Sequence, residues 1–84
     1  MLLIELRKSA IKDLKKISKA DKERIHTKIQ DLGDYPDVSN IKKLTDFEPA
    51  YRARIGNYRI LFDVDETNTV IVIGRILHRS ASYR

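Results

Sequence analysis

The stretch Tyr51-Arg52-Ala53-Arg54-Ile55-Gly56-Asn57-Tyr58-Arg59-Ile60 sets the architecture of this chain. Apolar and basic residues alternate on both sides of Gly56-Asn57, the period of a strand with one face in a core and the other toward solvent. Gly-Asn between two such runs reads as a two-residue hairpin loop. The mirror-image turns that suit a hairpin need positive φ, which glycine adopts without strain. A loop of that length fixes the register: Ile55 faces Tyr58, Arg54 faces Arg59, Ala53 faces Ile60 and Arg52 faces Leu61. Side chains alternate across a strand, so Tyr51, Ala53, Ile55, Tyr58, Ile60 and Phe62 share one face. Arg52, Arg54 and Arg59 share the other. Like charges directly opposite one another cost stability. A chain that gathers these guanidinium groups is therefore expected to meet an anion there, and the planar fork of arginine suits bidentate contact with phosphate. The plainer reading is a solvated strand face.

The rest of the chain supplies a core for the apolar face. Leu2 to Leu6 forms a short aliphatic strand. From Ser9, a plausible N-cap, the period becomes helical: Ala10, Ile11, Leu14 and Ile17 recur among Lys8, Lys12, Lys15, Lys16 and Lys19. A break near Ser18 to Asp21 precedes a second helix with the stripe Ile25, Ile29 and Leu32, and Gly33 stands where a helix C-terminal glycine belongs. So short a connection predicts an antiparallel helical hairpin. Asp34 to Asn40, with Pro36, reads as loop. Ile41 and Leu44 fit either a helical turn or an edge segment, and Pro49 ends that region. After the arginine hairpin comes a turn around Glu66 to Asn68. The next run, Val70-Ile71-Val72-Ile73-Gly74-Arg75-Ile76-Leu77, is apolar on both faces and is expected mid-sheet. A three-residue turn would put Arg75 and Arg79 on the arginine face by parity. The expected fold is α+β: an N-terminal strand, an antiparallel helical hairpin, then a three-stranded antiparallel meander packed on the helices. The first strand belongs beside the last, with its direction left open.

Composition narrows the function. The chain has 84 residues, no cysteine and a net charge of +5, which points to one domain over residues 1–84, without disulfides or thiolate metal sites, facing a polyanionic partner. No apolar run approaches the roughly 18–20 residues of a membrane span. Met1 to Arg7 lacks the basic start and cleavage site of a signal peptide, so a cytoplasmic protein is expected. There is no P-loop, dinucleotide fingerprint or metal-ligand spacing. Asp63 and Asp65 read as turn chemistry rather than an acid–base pair. His26 reads as a surface residue, and Ser80 and Ser82 lack a setting for nucleophilic attack. The tail His78-Arg79-Ser80-Ala81-Ser82-Tyr83-Arg84 adds proton carriers (His78, Tyr83) and a further cation (Arg79).

The string Tyr51 to Phe62, followed by His78-Arg79 and Tyr83, resembles the RelE/ParE superfamily of bacterial toxins, and most closely its RelE-type branch. The resemblance runs over nearly the whole chain and is strongest after Ala50. It implies a RelE-like fold and the toxin of a type II toxin–antitoxin system. It implies a ribosome-dependent mRNA endonuclease that uses no metal or other cofactor. The ribose 2′-hydroxyl attacks the adjacent phosphate, leaving a 2′,3′-cyclic phosphate and a 5′-hydroxyl. By this resemblance Arg52 and Arg54 bind RNA, Arg59 and Arg79 stabilise the transition state, and Tyr83 is the C-terminal tyrosine. Arginine is a poor general base, which leaves Tyr83 for that role and His78 or Arg79 to assist the leaving oxygen. The implied partners are an acidic antitoxin, mRNA in the ribosomal A site and, through the antitoxin, operator DNA, with no membrane. Two other readings stand beside it. One is a ParE-type protein that inhibits DNA gyrase by binding. The other is an RNA-binding module without catalysis.

Overall fold

A computed structural model describes residues 2–44 and 50–80. Pro49 and Tyr83 lie outside the described residues. The chain runs through β1 (Leu3–Leu6), α1 (Lys8–Lys15), α2 (Lys19–Asp31), a 3-10 turn (Leu32–Asp34), β2 (Ile41–Lys43), β3 (Tyr51–Ile55), β4 (Tyr58–Asp65) and β5 (Val70–His78). The strands form one five-stranded sheet in the order β1-β5-β4-β3-β2. β2 to β5 run antiparallel in sequence order, and β1 closes the sheet by pairing parallel to β5. The segment at Ile41 is thus an edge strand, which extends the meander from three strands to four.

The hairpin register follows the turn chemistry residue by residue: Ile55 with Tyr58, Arg54 with Arg59, Ala53 with Ile60, Arg52 with Leu61. Gly56 has φ +56° and Asn57 has no positive φ, the pattern of a type II′ turn. The apolar face carries the core. Ala53, Ile60, Phe62, Ile71, Ile73 and Ile76 from the sheet meet Ala10 of α1, Ile25 and Ile29 of α2, and Leu32. Tyr51 stacks on Phe62 at 5.6 Å between centroids, and Tyr35 meets Tyr51 edge-on at 5.6 Å. The Tyr35 phenol is raised from its usual value first by its hydrogen bond to Tyr51, then by burial and by the nearby Tyr51 and Glu66 groups.

Several local expectations are corrected. Ser18, not Ser9, caps a helix with its side chain, accepting the Asp21 N–H at 3.4 Å. α1 starts from Arg7 without a side-chain cap. Ser9, inside the first turn, donates instead to the Gly74 carbonyl at 2.6 Å. Gly33 is buried in the 3-10 turn and does not take the left-handed conformation of a capping glycine. Ile11 faces outward, 41 % exposed. Lys28 of α2 is buried and its ammonium donates to the Ser39 carbonyl at 2.7 Å, fastening the loop before β2. Asp65 does serve its turn, accepting from the Asn68 N–H at 3.0 Å and the Asn68 side-chain amide at 2.8 Å. β5 lies mid-sheet as its composition demands, but helices cover only one of its faces. Val70, Val72 and Leu77 are half-buried on the other.

Candidate functional site

The face of the sheet away from the helices carries Arg52 and Arg54 from β3 and Arg59 from β4. The reason is local: strict alternation in β3 and β4, fixed in register by the Gly56 turn, leaves these side chains no other side. Their environments differ. Arg54 is exposed and Arg52 half-buried, whereas Arg59 keeps only 6 % of its surface accessible. Arg59 lies between Arg54 on β3 and Leu77 on β5. Its Nε finds no hydrogen-bond partner among the described residues, and its Nη1 reaches its neighbour's carbonyl, that of Tyr58, at a long 3.4 Å. No carboxylate pairs with it among the described residues.

A guanidinium does not lose its proton in a protein. Burial therefore leaves Arg59 charged and underbonded, and a buried donor left unsatisfied costs about 1–3 kcal/mol. Such a group gains most from an anion that presents two oxygens to its fork.

β5 brings the tail to the same end of the sheet. Its pairing with β4 shifts by one residue between Leu61 and Phe62, so that Gly74 is an extra residue in β5. The turn before β5 spans Glu66 to Thr69, one residue longer than the three expected. The longer turn reverses the parity, and the bulge reverses it again. Arg75 consequently sits opposite Leu61, but Asp13 of α1 takes its guanidinium, with Nε at 2.8 Å and Nη2 at 3.1 Å from the carboxylate. Arg75 is thus tied to the helix rather than joining Arg52, Arg54 and Arg59. The Asp13 carboxylate is pushed up by burial. The Arg75 hydrogen bond, the Ile76 N–H and the charges of Arg75 and Lys16 outweigh this and hold it below the usual carboxylate range.

Arg79 follows directly on β5, and its N–H donates to the Asn57 carbonyl at 2.6 Å, fixing it against the hairpin turn. It stands two residues past Leu77, the cross-strand neighbour of Arg59, and so has the parity of the arginine face. His78 has the opposite parity. It pairs with Tyr58, its ring set edge-on to the phenol at 5.3 Å, on the side of the sheet that faces the helices. The Ser80 N–H donates to His78 Nδ1 at 3.2 Å, and Ser80 Oγ lies 2.9 Å from the same nitrogen. The structure thus sets Arg52, Arg54 and Arg59 on one face of the hairpin, anchors Arg79 through its backbone to the hairpin turn, and pairs His78 with Tyr58 rather than with Arg59.

One cation near this end escaped the sequence reading. Arg24 of α2 lies against the hairpin turn, where a Cβ on Gly56 would be 2.8 Å from its Nη2. It is 59 % exposed and holds a loose ion pair with Asp21 at 3.6 Å. Nothing local announces this, because the approach joins a helix to a turn that is remote in sequence. A cleft of about 440 Å³ lies elsewhere, lined by Leu2, Gly33, Asp34, Tyr35 and Asp37. Its carboxylates make it unsuited to a phosphate.

Comparison with known proteins agrees with this geometry. Residues 4–83 match the family model described as the ParE toxin of the type II toxin–antitoxin system parDE. Toxin RelE3 of Methanocaldococcus jannaschii is 32% identical over 80 residues, covering 90% of this chain and 89% of that protein. The RelBE2 toxin–antitoxin complex of Mycobacterium tuberculosis contains a chain 30% identical, with TM-score 0.80, covering 93% of this chain and 98% of the other. The RelB–RelE antitoxin–toxin complex of Methanococcus jannaschii matches at 30% identity and TM-score 0.77, with 94% of each chain covered. A five-stranded sheet with helices on one face, an arginine hairpin on the other and a match spanning nearly every residue lead to one assignment: the chain belongs to the RelE/ParE superfamily of type II toxins.

Proposed function

We propose that this chain is a ribosome-dependent mRNA endonuclease, held in check in the cytoplasm by an acidic antitoxin. The observation that carries the reading is Arg59: a buried, permanently charged guanidinium with an unpartnered Nε, on a face that also presents Arg52 and Arg54. An RNA phosphate supplies what that group lacks. Arg52 and Arg54 orient the backbone. As the 2′-oxygen bonds to phosphorus and the bond from phosphorus to the 5′-oxygen breaks, negative charge grows on the non-bridging oxygens, and Arg59 and Arg79 neutralise it. The 2′-hydroxyl proton passes to the phenolate form of Tyr83, which becomes the phenol, because no arginine of the face can accept it. The 5′-oxygen takes its proton from water as it leaves. With His78 turned toward Tyr58, Arg79 assists by hydrogen bonding to that oxygen and keeps its own proton. The antitoxin covers the same arginines, its carboxylates standing in for the phosphate. The solved relatives above are complexes of toxin with antitoxin, which supports this partner.

Inducible expression in bacteria beside an Arg59→Ala/Arg79→Ala version, with mRNA 5′ ends mapped during growth arrest, tests the reading. New ends inside translated codons are expected with the parent chain alone, and each single arginine change is expected to lower the rate by about 10²–10³. Arrest with intact mRNA and DNA-damage signalling refutes the nuclease and favours gyrase binding.

A further inference from the structure

β1 ends at Leu6, and the Arg7 N–H makes one more bond, to the Ile73 carbonyl at 2.9 Å. Beyond Ile73 that edge of β5 has no strand beside it among the described residues. Side chains of α1 take over the ladder. Ser9 Oγ donates to the Gly74 carbonyl at 2.6 Å, and Asp13 Oδ2 accepts the Ile76 N–H at 2.9 Å. The Arg75 guanidinium closes on the same carboxylate through Nε and Nη2. Every one of these bonds falls on Gly74, Arg75 or Ile76, the residues at which the register with β4 shifts.

A bulge leaves backbone groups outside the regular ladder, and buried backbone groups need partners. Here α1 provides them, so the extra residue is held rather than ironed out. The consequence reaches the far end of β5. Carried on without the shift, the pairing of Phe62 with Ile73 would set Arg59 opposite Ile76 and Tyr58 opposite Leu77. Alternation would then bring His78 onto the face of Arg59 and turn Arg79 toward the helices. With the shift, Leu77 stands opposite Arg59, His78 pairs with Tyr58, and Arg79 binds the hairpin turn.

We infer that Asp13, aided by Ser9, is a positioning residue: by holding the bulge in β5 it selects Arg79, and not His78, as the companion of Arg59 on the phosphate-binding face. The role of that face rests on the function proposed above; the control of register does not. Asp13 is on a helix and its described hydrogen bonds go to Arg75 and Ile76 of β5, so it acts through the strand.

Two measurements test this. Amide hydrogen exchange reads the Arg79 N–H, whose partner is the Asn57 carbonyl. In Asp13→Ala its protection is expected to drop by about tenfold or more while the β3–β4 amides keep theirs. Asp13→Asn, which keeps an acceptor for Ile76 but loses the charge for Arg75, is expected to fall between, and it replaces the alanine variant if that one does not fold. Undiminished protection of Arg79 overturns the inference. The second measurement is a double-mutant cycle on cleavage of ribosome-bound mRNA. Arg79→Ala is expected to cost about 10²–10³ in the parent but little in Asp13→Ala, because there Arg79 is already displaced. An equal cost in both backgrounds is what a merely structural Asp13 gives, and it overturns the positioning role. A parent chain that cleaves nothing refutes the nuclease reading only, and the exchange experiment still decides the register.

Discussion

Replacing Arg59 with methionine is expected to make the protein more stable and inactive. In the folded chain the guanidinium is 6 % exposed, its Nε is unpartnered and its one described bond is a long 3.4 Å contact. A buried donor left unsatisfied costs about 1–3 kcal/mol. The arginine directly across the hairpin, Arg54, adds a like-charge penalty of about 0.2–1 kcal/mol. The Tyr58 bond returns about 0.5 kcal/mol at such a length. Methionine keeps the unbranched stem and bends to fill the space, so the substitution is expected to gain about 1–3 kcal/mol, in line with buried charges replaced by apolar groups elsewhere. For a domain of this size each kcal/mol raises Tm by about 4–8 °C. The assay is urea and thermal unfolding of parent and Arg59→Met, followed by circular dichroism, with and without inorganic phosphate. Phosphate is expected to stabilise the parent, by mass action on the folded state, and to do little for the variant. If Arg59→Met proves less stable than the parent by 1 kcal/mol or more, on the order of a lost hydrogen bond, the guanidinium is satisfied in the folded chain and the reasoning from an unpartnered cation fails.

Three further outcomes are expected. Gly56→Ala places a side chain at φ +56° and forces Arg24 off the turn. Since Arg24 is flexible, the backbone term dominates, and unfolding should show a loss of about 1–2 kcal/mol. Thr69 is β-branched at φ +54°. Asparagine tolerates that conformation better, so Thr69→Asn should raise the urea midpoint by an amount worth about 0.5–1 kcal/mol; an unchanged or lower midpoint shows that the threonine is not strained. Asp13 is held below its usual range, so its ion pair is fully present above the unfolded carboxylate value and is lost as pH falls through the lower folded one. The parent should therefore lose its advantage over Asp13→Asn as acid is added, below about pH 4. With Arg75 half-exposed, solvent screening keeps that advantage near about 1 kcal/mol. A constant gap from pH 6 to pH 2, spanning the ordinary carboxylate range, removes the ion pair as its cause.

The hairpin was readable because its information is local. Gly56-Asn57 fixes the loop, the loop fixes the register, and alternation then assigns Arg52, Arg54 and Arg59 to one face with Tyr51, Ala53 and Ile60 on the other. β5 declared its interior place by being apolar on both faces over much of its length. What escaped reading depends on partners far away in the chain. β2 has three residues, too few to show a period. The bulge has no sign beyond a glycine inside an apolar run, and it matters only because Ser9 and Asp13, more than sixty residues earlier, hold it. Ser9 looks the same in sequence whether it caps its own helix or reaches a distant carbonyl. Parity beyond the bulge, and with it the separation of His78 from Arg79, could not be set without that contact. Alternation gave Arg59 its face, but its burial depends on what stands beside it in three dimensions.

β5, an interior strand of the sheet, is the last of the five to be made, and its parallel neighbour β1 is the first. The seam between Leu3 and Val70 closes the molecule across most of its length. During synthesis β1 has no strand to lie against until β5 appears, and β4 remains a bare edge. Such non-local pairing delays folding to the end of the process. A messenger cut within its coding region before Val70 yields a fragment without a seam and without Arg79. If the protein cleaves translated messages, those messages include its own, and no product shortened before Val70 inherits a working toxin.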